Sequence, residues 1–219
     1  MSPHIPAHII PAQPAPRRAG PGATGLLLAS FAALLMSTGC VRIGAKPPAT
    51  LLAISAQAEA PAGETLSTAR QQALFVDLPT VPRAIASLRV AVRDSATSFA
   101  YVKDALWVDS PARQFQSVLA ETVRVRTGQL VLDPGQFLAR RGQVLEGRLL
   151  EFGVDAASKR AIVTYDATLA LPDDQQVLRQ RFTASVPLSR IDANSVAPAI
   201  SQAANEVAVA VADWIRTQN

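Results

Sequence analysis

The sequence predicts an α/β fold: a single layered domain with a mixed, largely antiparallel β-sheet packed by two main α-helices, following an N-terminal secretory leader. Three observations predict it. Apolar and polar residues alternate through three consecutive segments between Gln143 and Val186, the period-two signature of half-buried strands joined by short turns. Apolar residues recur at helical spacing in two other stretches, 109–128 and 195–215. An uncharged apolar run, Leu26–Met36, is eleven residues long, well short of the roughly 20 that span a bilayer.

Residues 1–39 read as an address. Arg17 and Arg18 supply a positive n-region, and Leu26–Met36 matches the apolar h-region of a signal peptide. The run ends in Ser37-Thr38-Gly39-Cys40. This resembles the lipobox of bacterial lipoproteins, whose cysteine is diacylated on sulfur, becomes the first residue after cleavage and is then acylated on its amine. The competing reading makes Cys40 a small buried hydrophobe in an N-terminal helix. Charge, apolar run, small residues and Cys stand in the order that processing requires, which favours lipidation of Cys40. Several acyl chains, at about 0.8 kcal/mol per buried CH2, anchor more firmly than the marginal hold of one. Val41 follows the cysteine, where enterobacterial lipoproteins kept in the inner membrane carry Asp. By that analogy the protein is expected on the periplasmic face of the outer membrane. Residues 40–49 then form a lipidated tether and 50–219 the folded domain.

Within that domain, Thr50–Ala56 reads as a first strand. Leu74, Val76 and Leu78 alternate against Phe75 and Asp77, and Leu88, Val90 and Val92 alternate against Arg89 and Arg93. The aromatic segment from Phe99 to Val108 reads as either a hairpin or an irregular loop. Asp109-Ser110-Pro111 opens a helix, with Pro at a first-turn position where its missing N–H costs nothing, and Gly128 stops it. Val144–Phe152 is apolar with a change of face at Gly147, which suggests a bulge there. Ala161–Leu171 and Leu178–Val186 complete an antiparallel meander across the turn Pro172-Asp173-Asp174. Ser195–Ile215 is a long amphipathic helix with Pro198 in its first turn.

Elimination narrows the chemistry. Both histidines, His4 and His8, and the one cysteine lie at or before residue 40, so the domain lacks the commonest general base and metal ligand. No G-x-S-x-G, GxxxxGK[ST] or strand-flanked GxGxxG occurs. Asp173 and Asp174 are explained by turn chemistry, and Asp109 by helix capping. A non-enzyme without cofactor or metal is expected. Removing residues 1–39 takes two of the 21 Lys and Arg and none of the 17 acids, leaving a formal +2. Arg124 and Arg126, Arg140 and Arg141, Lys159 and Arg160, and Arg179 and Arg181 come as pairs rather than runs, which fits a solvated surface and not a nucleic-acid footprint. Phe99, Tyr101 and Trp107 form a local aromatic cluster, read first as a plug for one end of the core and second as a partner contact.

The order of these features resembles the auxiliary lipoproteins of ABC-type transport systems that work with MCE-domain proteins. The resemblance rests on the lipobox Cys40, on LFVDLP (residues 74–79), on SLRVAVRD (87–94) and on LWVDSPARQF (106–115). The last of these is similar to the family's Trp-Ala-Glu-Pro-Leu stretch that opens a helix. Trp107 is kept, Asp109 stands near the acid, and Pro111 is displaced by one residue. The meander and a C-terminal helix ending in Trp214-Ile215 also fit. The resemblance implies a non-enzymatic envelope component that partners an MCE-domain protein, an ABC permease and an ATPase in moving phospholipid or other apolar molecules between the two membranes. It implies a layered α/β fold. The alternative is a free-standing periplasmic lipoprotein that binds an apolar ligand in its own pocket.

Overall fold

The strand expected over Thr50–Ala56 forms only at Thr50–Leu52 (β1). Beyond it, side-chain amides take the place of a ladder. The Ile54 N–H donates to Gln114 Oε1 at 3.0 Å and the Gln57 N–H to Asn205 Oδ1 at 2.8 Å, while Asn205 Nδ2 donates to the Ser55 carbonyl at 2.9 Å. Buried Gln114 and Asn205 thus satisfy a backbone that has left the sheet.

The remaining elements are β2 (Leu74–Val76), a turn of 3₁₀ helix (Arg83–Ile85), β3 (Arg89–Arg93), β4 (Phe99–Trp107), α1 (Pro111–Thr127), β5 (Val131–Leu132), β6 (Gln143–Asp155), β7 (Arg160–Ala170), β8 (Val177–Pro187) and α2 (Ala193–Arg216). The computed structural model describes residues 50–67, 73–133, 135, 142–172 and 176–218. The leader, Cys40, the tether and the expected turn at Asp173-Asp174 lie outside the described residues. Everything described belongs to one compact unit, Pro48–Asn219.

The sheet has eight strands among the described residues, and β6 is its spine. One edge of β6 pairs along its length with β7, which pairs in turn with β8; both ladders are antiparallel, as the meander predicts. The other edge is shared. Parallel β2 lies beside Gln143–Leu145 and parallel β3 beside Gly153–Asp155, so the sheet forks. One branch continues β3–β4–β1 and the other β2–β5. The long pairings are antiparallel and the short crossover pairings parallel, which makes the sheet mixed.

Packing departs from simple alternation at β2. All three residues are buried, Phe75 included, because the strand runs between β5 and β6, and Leu78 is exposed beyond its end. The bulge expected at Gly147 lies instead between Leu149 and Glu151. Gly147 serves close approach: a Cβ there would meet the Asp166 carbonyl oxygen and stand 2.7 Å from Cζ and the hydroxyl of Tyr165.

Both helices cover one face. Ser110 caps α1 by accepting from the Arg113 N–H, Pro111 follows it, and Gly128 at φ 69° ends the helix in the left-handed region that glycine tolerates. Asp109 is not the cap; its Oδ1 accepts from the Ser110 N–H at 2.6 Å. α2 starts two residues before the expected Ser195, because Asp192 caps it from the Ser195 N–H at 2.9 Å. Pro198 therefore falls in the second turn rather than the first, at the cost of the bond that its N–H would have donated. Val196, Ile200, Ala203, Val207 and Val211 of α2 are buried with Val163, Tyr165 and Leu169 of β7, and the Phe115 and Tyr165 rings meet at 5.2 Å. Each buried Val, Leu or Ile side chain among these stabilises the fold by about 1.5–3 kcal/mol.

Candidate docking face

The described helices leave the opposite face of the sheet open, and β4 decides which aromatics reach it. Its pairing with β3 slips between Arg89↔Leu106 and Ala91↔Tyr101, and Asp104 sits in the slip at φ 53°, a left-handed conformation uncommon outside glycine. An odd slip exchanges the two faces of a strand. Phe99 and Tyr101 therefore project to the open face, whereas Ala105 and Trp107 turn into the core. Trp107 is 1% exposed and packs its ring against that of Phe152 in a tilted arrangement, centroids 5.4 Å apart; Phe99 is 50% exposed. The expected three-residue cluster is split. Trp107 takes the core-plug role, and Phe99 with half-buried Tyr101 stays on the surface, where the Arg89 guanidinium lies 3.9 Å over the Tyr101 ring.

The open face is knit by polar side chains. Arg93 Nη1 donates to Glu151 at 2.6 Å and its Nε to Asp155 at 3.0 Å. Glu151 in turn accepts from the Thr164 hydroxyl at 2.6 Å, and the Thr183 hydroxyl donates to Thr164 at 3.2 Å, so one chain of bonds crosses β3, β6, β7 and β8. Ser158 donates to Asp155 from both hydroxyl and backbone, and with Arg93 it holds that carboxyl down at about 2. On β8, Arg181 and Arg179 both donate to Asp166, whose carboxylate is only 5% exposed; Arg181 first and then Arg179 hold it at about 2. The ion pairs have no local signature in the sequence because each carboxylate meets its arginine across strands. The Arg179 and Arg181 pair, read as solvated surface, is indeed exposed but also neutralises a buried charge.

At the fork of the sheet lies a cavity of about 220 Å³. Pro82, Ile85, Ala91, Phe99, Leu150 and Ile162 give it apolar walls, and Arg93, Glu151 and Asp155 form a polar margin. An apolar depression with a charged, internally paired rim has the anatomy of a contact surface. Its carboxylates accept from guanidinium and hydroxyl donors. No group of three or more potential metal ligands occurs among the described residues, and no described helix is long and apolar enough to cross a membrane.

A family model described as the ABC-type transport auxiliary lipoprotein component matches residues 54–212. The chain belongs to that family. Membership makes it an auxiliary component of an ABC-type transport system and places it among lipoproteins, in agreement with the resemblance seen in the sequence. The fold is similar to that of protein XCC0632 from Xanthomonas campestris, a DUF330 family protein, at 23% identity and TM-score 0.61, covering 78% of this chain and 97% of that one. It is also similar to the crystal structure of an uncharacterized protein at 14% identity and TM-score 0.58, covering 69% of this chain and 96% of that one. No curated protein matches the sequence.

Proposed function

We propose that this auxiliary lipoprotein is held by acylated Cys40 on the periplasmic face of the outer membrane. There it docks an MCE-domain protein with its ABC permease and ATPase, in a system that moves phospholipid or other apolar molecules between inner and outer membranes. It contributes position and surface, not catalysis. The observation that carries the reading is the family match over residues 54–212. The lipobox-like Ser37-Thr38-Gly39-Cys40 and the open sheet face, whose carboxylates are paired with guanidiniums, support it. Affinity purification of the tagged full chain in mild detergent tests it. Recovery of an MCE-domain protein together with permease and ATPase is the expected result; recovery of unrelated envelope proteins alone would refute the partnership.

The fork cavity favours a second reading, a lipoprotein that carries an apolar ligand in its own pocket. At about 220 Å³ it falls below the roughly 300–1,000 Å³ usual for ligand sites, room for part of one alkyl chain rather than a whole phospholipid. Stoichiometric lipid extracted from the purified chain would support this alternative.

A further inference from the structure

Among the described residues, β8, eleven residues long, pairs with β7 alone, and no strand lies along its other edge. The other outer edges among the described residues are shorter or irregular: β1 has three residues, β5 two, and β4 lacks an outer strand over Phe99–Asp104, a stretch broken by the slip at Asp104. β8 also has an unbroken register with β7, from Arg160↔Pro187 to Ala170↔Val177, without a bulge. A long, regular, uncovered edge is a template for another strand.

The direction of its backbone groups follows from the ladder. The Leu171 N–H donates to the Gln176 carbonyl and the Leu188 N–H to the Lys159 carbonyl, so even-numbered residues of the strand turn their backbone toward β7. Val177, Arg179, Arg181 and Thr183 consequently turn both N–H and C=O outward. Pro187, which has no N–H to offer, occupies an outward position at the end, and the Ser185 carbonyl is already taken by Arg160 at 2.6 Å. The pairing stretch is therefore Val177–Thr183.

Charge selects the occupant. Arg179 and Arg181, 64% and 60% exposed, stand on the open face of that stretch and share the single carboxylate of Asp166. Glu151 also acts on Arg181, but it is engaged by Arg93 and Thr164 and Asp166 is buried, so the charge that this edge presents to solvent is that of the two exposed guanidiniums. A second copy of the strand would bring four arginines together against two aspartates, and such charges guard an edge against self-pairing. A strand with acidic residues at alternate positions would be attracted.

We propose that β8 is a strand-addition site that takes an extended acidic segment of a partner chain along Val177–Thr183. Main-chain bonds to the outward groups supply affinity, and alternating acids meeting Arg179 and Arg181 supply selectivity. This specifies how the docking proposed above is made, and it rests on that reading only for the partner's identity.

The test uses the full chain in detergent with two labelled synthetic peptides, one alternating valine with glutamate and one alternating valine with lysine. Anisotropy measures binding, and amide hydrogen exchange locates it. The glutamate peptide is expected to bind at least about tenfold tighter than the lysine peptide and to protect the amides of Arg179, Arg181 and Thr183. Thr183→Pro removes an outward N–H that β7 does not use together with the hydroxyl bonded to Thr164, so it should abolish this binding while leaving the circular dichroism spectrum intact, whereas Thr183→Val, which loses only the hydroxyl, should keep it. Arg179→Glu keeps every backbone donor and should invert the preference between peptides. Equal binding of the two peptides, protection elsewhere, or a concentration-dependent dimer abolished by Thr183→Pro would overturn the proposal. Undiminished recovery of the transport assembly by Thr183→Pro would also overturn it, while leaving the partnership itself standing.

Discussion

Phe99 and Trp107 lie on one strand at a spacing that a regular pleat would place on one face, yet they project to opposite faces of the sheet. The slip around Asp104 separates them. Trp107→Ala should cost about 3–5 kcal/mol, the range for deleting a large buried aromatic. Phe99→Ala, which removes a half-exposed ring, should stay within about 0.5 kcal/mol. Urea unfolding of the two variants measures both, and the reverse ranking would contradict the assignment of faces.

Asp155 and Asp166 tie stability to acid. Each has a folded-state pKa of about 2 against an ordinary 3.8. Because the folded value is depressed, their contribution is complete above about pH 4 and is lost as the pH falls through about 2. Thermal melting between pH 5 and pH 2 should show that decline, and Asp166→Asn should flatten it while lowering stability at pH 7. An acid limb of unchanged slope in that variant would remove Asp166 from the account.

Gly147 and Tyr165 make a second coupled pair. Gly147→Ala should destabilise by about 1–3 kcal/mol, since the new methyl has no room beside the ring and the Asp166 carbonyl. The Tyr165 hydroxyl is buried without a hydrogen-bond partner among the described residues, and burial, with Glu146 and Asp77 behind it, raises its pKa. Tyr165→Phe should therefore be neutral or slightly stabilising. A large loss in Tyr165→Phe, measured by the same denaturation, would show that the hydroxyl makes a bond.

Cys40→Ala should leave the precursor unprocessed at the lipoprotein signal-peptidase step. A gel-shift assay with and without globomycin measures it, and maturation insensitive to the inhibitor would contradict lipidation at Cys40.

The meander and both helices were legible because their information is local. Ala161, Val163, Tyr165, Ala167 and Leu169 alternate without interruption, and Ser110-Pro111 and Gly128 mark the ends of α1 in the sequence itself. What escaped was decided by neighbours distant in sequence. Gln114 and Asn205 cut β1 short, two flanking strands bury Phe75, and pairing with β3 turns Trp107 inward. The same holds for the open face: Arg93, Glu151 and Asp155 lie on two strands far apart in the chain, and no local pattern links them. The family resemblance rests on the order of short motifs such as LFVDLP and LWVDSPARQF, which are local and need no knowledge of tertiary contacts.

Native mass spectrometry of the gently solubilised, acylated protein tests the central claim most directly, because it resolves partners and bound lipid in one spectrum. The expected species contains this chain with an MCE-domain protein and its ABC subunits, with transported lipid remaining on the MCE subunit when the assembly is dissociated. A chain carrying its own stoichiometric apolar ligand, with no transport subunit attached, would contradict it.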